Sequence, residues 1–146
     1  MATYTKIPDF VEHLAEGVHD LGSDTLTVAL SNTAPGSEST DPTGDGDGVL
    51  ANVTEVSYAN ASSRVLTVSS SAQVSGTYKL VLADLTISAS GGSVGPFRYV
   101  YIYNDSPSSP ADPLIAYYDY GSALTLNDGE SLTLDFSASN GVLQIA

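Results

Sequence analysis

Hydrophobic positions follow two different periods along this chain, with the change near Leu26. Ahead of it, Phe10, Val11, Leu14, Val18 and Leu21 recur at the i, i+3/i+4 spacing that gathers side chains on one side of a helix. Pro8 and Asp9 suit a helix start, and Asp9 and Glu12 sit at the end of the dipole that favours acids. Gly22 supplies a stop. The pattern predicts one helix over residues 8–21, weakened in the middle by Gly17.

From Leu26 onward the period is two, which sends successive side chains to opposite faces of a strand. Leu26, Val28 and Leu30 alternate with Thr25, Thr27 and Ala29. The stretch Ser31–Gly48 is rich in Ser, Thr, Pro, Gly and Asp and reads as a long solvated loop. Short strands are expected at Val49–Val56 and Arg64–Ser69. Tyr78–Ala89 is a longer strand whose parity slips between Leu82 and Leu85, so a β-bulge near Ala83–Asp84 is expected to return both sets to one face. Phe97, Tyr99, Tyr101 and Tyr103 share one parity while Val100 and Ile102 hold the other, which marks a strand inside a sheet rather than at its edge. Ser106–Pro113 is a proline-rich surface loop. Leu124 and Leu126 lead into the turn Asn127-Asp128-Gly129, after which Leu132, Leu134 and Phe136 alternate with polar residues. Asn140-Gly141 predicts a hairpin returning through Val142–Ile145. Eight or nine short strands with turn signals between them predict an all-β fold, an antiparallel β-sandwich or jelly roll with one N-terminal α-helix. The expected organisation is a single domain over residues 1–146, with an arm and helix in 1–24 and the sandwich in 25–146.

Composition narrows the function classes. Charged residues make up 14% of the chain and the formal net charge is −13, with Lys6, Arg64, Lys79 and Arg98 the only cations. Nucleic-acid binding needs clustered cations that displace phosphate counterions, and anionic membranes repel such a chain, so neither partner is expected. Cysteine is absent, which excludes disulfides and thiolate metal sites. The opening residues lack a basic region followed by an apolar one, so no secretory signal is expected there.

Candidate chemistry is sparse. His13 and His19 are the only histidines, and on a continuous helix six residues separate them by about 240°, so they are not expected to share a metal or build a triad. Asp41, Asp45 and Asp47 lie on a Gly-rich stretch whose carboxylates suit Ca²⁺, yet the EF-hand spacing is not met and a solvated loop is the plainer reading. Asp119 and Asp135 offer two carboxylates without a sequence reason for their pKa values to differ, which a glycosidase pair requires. No catalytic residue, cofactor or metal site is therefore assigned. The tyrosines have two readings: side chains that carry large area with a polar tip serve interfaces, and they serve cores equally well. Arg98 is read as an interface or structural ion-pair residue.

Three segments resemble a family of small structural proteins of tailed bacteriophages. They are Tyr4–Leu21, the run Thr27-Val28-Ala29-Leu30-Ser31-Asn32-Thr33-Ala34-Pro35, and the block Gly95–Gly121 ending in Tyr-Asp-Tyr-Gly. The resemblance leaves Ser37–Gly48 and Tyr58–Gly76 as variable segments. It implies a virion component without catalytic machinery. The first form is a capsid decoration (cement) protein on the outer capsid surface, binding the major capsid protein, itself a homo-oligomer, a trimer by family analogy. The alternative is a tail- or fibre-associated module that reads a host receptor or glycan. The interface residues expected on this reading are Phe10 and Leu14 on the helix, and Arg98, Tyr99, Tyr101, Tyr103 and Tyr118 in the tyrosine-rich block.

Overall fold

The computed structural model describes residues 2–146. It is an antiparallel all-β fold with one short helix. Its principal sheet has the order β1-β7-β6-β2, built from Thr3–Lys6, Leu114–Leu126, Val94–Asn104 and Leu26–Ser31. The tyrosine-rich strand β6 lies inside this sheet, with β7 on one side and β2 on the other. From Tyr99 to Asn104 every residue of β6 is buried, and so is every residue of β2. Small residues of β2 face large ones of β6: Ala29 opposes Tyr101 and Thr27 opposes Tyr103, so the bulky rings do not collide across the pair.

The second layer is one long irregular hairpin with a split third strand. β3 (Val68–Val74) pairs with β4 (Thr77–Leu82), and the pairing resumes further out, where Ala61 bridges Ala89. The predicted Tyr78–Ala89 strand is therefore two strands, β4 and β5 (Leu85–Ser88), broken near Ala83–Asp84. Leu80, Leu82 and Ile87 are all buried, so the break does return both parities to the core. On the far side of this strand lie β8 (Ser131–Leu134) against β5, and β9 (Leu143–Ile145) against β4.

Several expectations change. The helix, α1, runs only from Phe10 to Ala15. Gly17 takes φ +77°, its N–H donates to Leu14 and that of Val18 donates to His13, which is a Schellman stop that cuts off the last turn of the predicted helix. Val11, expected on the inner face, is exposed. Val49–Val56 is not a strand, because a 3-10 turn at Leu50–Asn52 interrupts it. The stretch Arg64–Ser69 does not pair as one strand, since residues 64–66 bond to β2 and the paired strand begins at Val68. Asn140-Gly141 does not make a hairpin between β8 and β9. The Gly141 N–H instead closes a turn on Ser137, and β9 continues along the same neighbour that β8 left. Gly141 has φ +74°, and a Cβ there would stand 2.5 Å from the Leu80 carbonyl oxygen, so only glycine fits the turn.

The segment after β2 is a loop, as expected, with many exposed residues, but it is anchored to the fold at several points rather than free. Pro35, Pro42 and Gly48 are buried. Both Asp9 oxygens accept backbone N–H groups, from Gly46 at 3.1 Å and Gly48 at 2.8 Å. Glu38 holds Thr54 through its N–H and hydroxyl at 2.8 and 2.6 Å. These side-chain anchors supply the order that hydrophobic alternation lacks here.

The two layers meet differently at their two sides. Beside β2, Val28 N–H donates to the Arg64 carbonyl, Leu66 N–H to Leu26, and Val56 N–H to Leu30. Beside β1, whose named partner is β7, no backbone hydrogen bond to β8 is present among the described residues. The strands thus wrap from β1 through β7, β6 and β2 to residues 61–74, 77–89 and 131–145, leaving a seam between the first and the last.

Candidate functional site

The seam holds a groove of about 430 Å³. Val100 and Tyr118, opposed on β6 and β7, lie beneath it with Phe97. Leu132, Leu134 and Phe136 form one wall, and Tyr120 and Ala2 lie on the other side. The lining is aliphatic and aromatic apart from Thr133 and Asp135.

Strand chemistry explains the wall. The Thr86 and Thr133 hydroxyls meet at 2.9 Å, and those of Ser88 and Ser131 at 2.8 Å, on the outer face of the β5–β8 pair. Alternation turns Leu132 and Leu134 inward. Ala89 N–H donates to the Glu130 carbonyl, so in this antiparallel register the main-chain groups of Ser131 and Thr133 point away from β5. Thr133 therefore presents its backbone to the groove while its hydroxyl is occupied elsewhere. Tyr118 stacks edge-on against Tyr4 at 5.3 Å and tilts against Phe136 at 6.3 Å. Burial, with a smaller contribution from Tyr4, pushes the Tyr118 hydroxyl up to about 12, so it stays a neutral donor.

The expected interface residues separate into two groups. Tyr99, Tyr101 and Tyr103 are core residues: all three are buried, and the Tyr101 ring packs 5.3 Å from that of Tyr117. The Tyr101 hydroxyl is fully enclosed without a hydrogen-bond partner, and burial raises its pKa. Phe10 is also buried, its ring 5.2 Å from His19. Tyr118, Leu14 and Arg98 keep partial exposure. Arg98 grips Asp119 in a two-pronged pair at 2.7 and 2.9 Å, which raises the pKa of the guanidinium and lowers that of the carboxylate. Asp119 also accepts Gly121 N–H, so it is committed to structure, while Asp135 stands exposed at the groove.

His13 and His19 come together, contrary to the helical reading, because the chain turns at Gly17. Their rings meet edge-on at 6.0 Å. His19 is buried, its Nδ1 lies 3.1 Å from the Asn104 amide nitrogen, and that nitrogen also donates to Asp24 at 2.6 Å. Burial, then the neighbouring His13, push His19 down to about 4, against a smaller opposing pull from Asp24. Leu14 and His19 border a shallow hollow of about 440 Å³ with Leu21, Tyr78 and Ile145.

Among the described residues no three His, Cys, Asp or Glu side chains gather as a metal-holding group. Asp41 turns one oxygen to the Thr43 N–H and hydroxyl at 2.9 and 2.7 Å, which lowers its pKa. No helix among the described residues is long and apolar enough to cross a membrane. Tyr4, Tyr120 and the edge of β1 escaped sequence reasoning, since four polar-aromatic residues ahead of a proline carry no strand signal of their own. Compared with known proteins, the chain matches no family model, no curated sequence and no solved structure.

Proposed function

We propose that this chain is a structural component of a tailed-phage virion, a decoration protein that binds the major capsid lattice on the outer head surface and stabilises it without turning over a substrate. The observation that carries this reading is where the family-like segments fall. Residues 4–21, 27–35 and 95–121 are far apart in sequence, yet they supply α1 and all four strands of the sheet β1-β7-β6-β2. A resemblance spread over three segments thus maps onto one physical unit. The variable segments 37–48 and 58–76 lie outside it. Phe97, Val100, Tyr118 and Tyr120 of that unit line one part of the apolar groove at the seam, a surface suited to burial against another protein. Many copies, as a trimer or another homo-oligomer, would add modest contacts through multivalency on a repeating lattice.

The glycan-reading alternative receives less support. It needs tyrosine rings at the surface as stacking platforms, and Tyr99, Tyr101 and Tyr103 are buried.

The test uses particles of the virus whose genome encodes the chain, with this gene deleted. The decoration role expects intact heads that lose their genome sooner on heating or osmotic shock, rescued by adding purified protein. Equally robust heads that fail to adsorb to host cells would reject it in favour of receptor binding.

A further inference from the structure

The groove has the features of a strand-accepting site. Its wall is an unpaired β-edge: the N–H and C=O groups of Ser131 and Thr133 face away from β5 and meet no main-chain partner among the described residues. Directly behind that edge lie apolar side chains, Leu132, Leu134 and Phe136 against Val100 and Tyr118. An unpaired edge is a template for another strand, and proteins normally blunt such edges with Lys, Pro or a bulge. β8, Ser-Leu-Thr-Leu, carries none of these.

We infer that the seam binds an extended segment of a different protein by β-strand addition along β8, a segment with alternate apolar side chains and flanking Lys or Arg. Main-chain bonds to the Thr133 edge would give register, and alternate apolar side chains would enter the groove. Charge selects the occupant. Asp135 is the one ionised group lining the groove and forms no ion pair among the described residues. The chain as a whole carries −13, so a second copy meets long-range repulsion where a basic segment is attracted. The inference does not require the partner to be a capsid protein.

The probe is a labelled peptide, Lys-Val-Thr-Val-Thr-Val-Lys, compared with the same peptide ending in Glu at both sides, by fluorescence anisotropy on the full chain. The lysine peptide is expected to bind at least about tenfold more tightly than the glutamate peptide, and to slow amide exchange at Thr133. Thr133→Pro, which removes the outward N–H, should weaken binding by about tenfold or more. Asp135→Lys, at an exposed position, should narrow or reverse the preference between the peptides, and it tests the site even where the proline variant folds poorly. Binding unchanged in Asp135→Lys, or no binding of either peptide at about 1 mM, overturns the inference. So does self-association of the free chain that protects the Thr133 amide, because a second copy would then be the occupant.

Discussion

On the β2 side the layers of this sandwich are sewn together by main-chain hydrogen bonds, whereas on the β1 side they touch only through side chains. The difference lies in where the backbone groups point. Beside β2, residues 55–66 supply carbonyls and amides in register with Val28, Leu30 and Leu26. At the seam the Thr133 edge faces open space. One side is finished as structure, and the other keeps the pairing capacity of an unpaired strand.

The largest expected effect probes burial at the open side. Phe136→Ala should destabilise by about 3–5 kcal/mol in denaturant melts, because its ring is buried against Tyr118 despite bordering the groove. A loss under about 1 kcal/mol would mean that the seam contributes no packing. Leu30→Ala at the sewn side should cost about 2–5 kcal/mol, and Leu132→Ala at the seam only about 1 kcal/mol. Equal losses would erase the contrast.

Acid sharpens it at a third point, where His19 joins the end of α1 to Asn104 on β6. His19 is held neutral in the fold, with its pKa lowered from 6.5 to about 4. Between those values the unfolded chain binds the extra proton, so stability present above pH 6.5 falls as the pH drops and levels off below about 4. The loss from this group reaches about 3 kcal/mol, and His19→Gln should flatten the curve over pH 4.5–6.5, read as the difference between the two proteins' melts. Asp9→Ala removes the acceptor for Gly46 and Gly48 and should cost about 2 kcal/mol, with faster amide exchange at both glycines. Smallest is Tyr101→Phe, which deletes an enclosed, unbonded hydroxyl and should leave stability unchanged or raise it by under about 1 kcal/mol. A loss above about 2 kcal/mol would reveal a hydrogen bond to that hydroxyl.

Legibility in the sequence followed the range of the interaction. Alternation located β2, β6 and β8 because each strand's own side chains carry the pattern. The inner position of β6 followed from large residues on both parities. Partners were not legible: β9 pairs with β4 rather than with its neighbour in sequence, since Gly141 fits a turn against the Leu80 carbonyl instead of a hairpin. The helix ended early because two hydrogen bonds at Gly17 outweighed an apolar spacing that continued to Leu21. The order in residues 37–48 comes from Asp9 and Glu38, two carboxylates that hydropathy scores as solvent-facing. Replacing that segment by a short flexible link, harmless for a free loop, would therefore strip Asp9 of both its donors and Thr54 of the Glu38 carboxylate. As for the site, Leu132, Leu134, Phe136 and Tyr118 were identifiable as apolar or interface positions, but their convergence across the seam depends on pairings between strands distant in sequence, β2 with β6 and β5 with β8.

The wrap of strands also sets the order in which the nascent chain can fold. β2 finds its sheet partner only at Tyr99–Asn104, and β1 only at Ala116–Asp119. At about 5–20 residues per second, synthesis from Lys6 to Asp119 occupies on the order of ten seconds. Until Asn104 has been made, the run Leu26–Leu30, completely buried in the finished sheet, has no β6 to cover it. β3 and β4 are joined by a short turn, so this hairpin can close early, within microseconds of emerging. Pairings of such long sequence separation make a slow folder, and the exposed β2 segment on the ribosome is where a chaperone would find its grip.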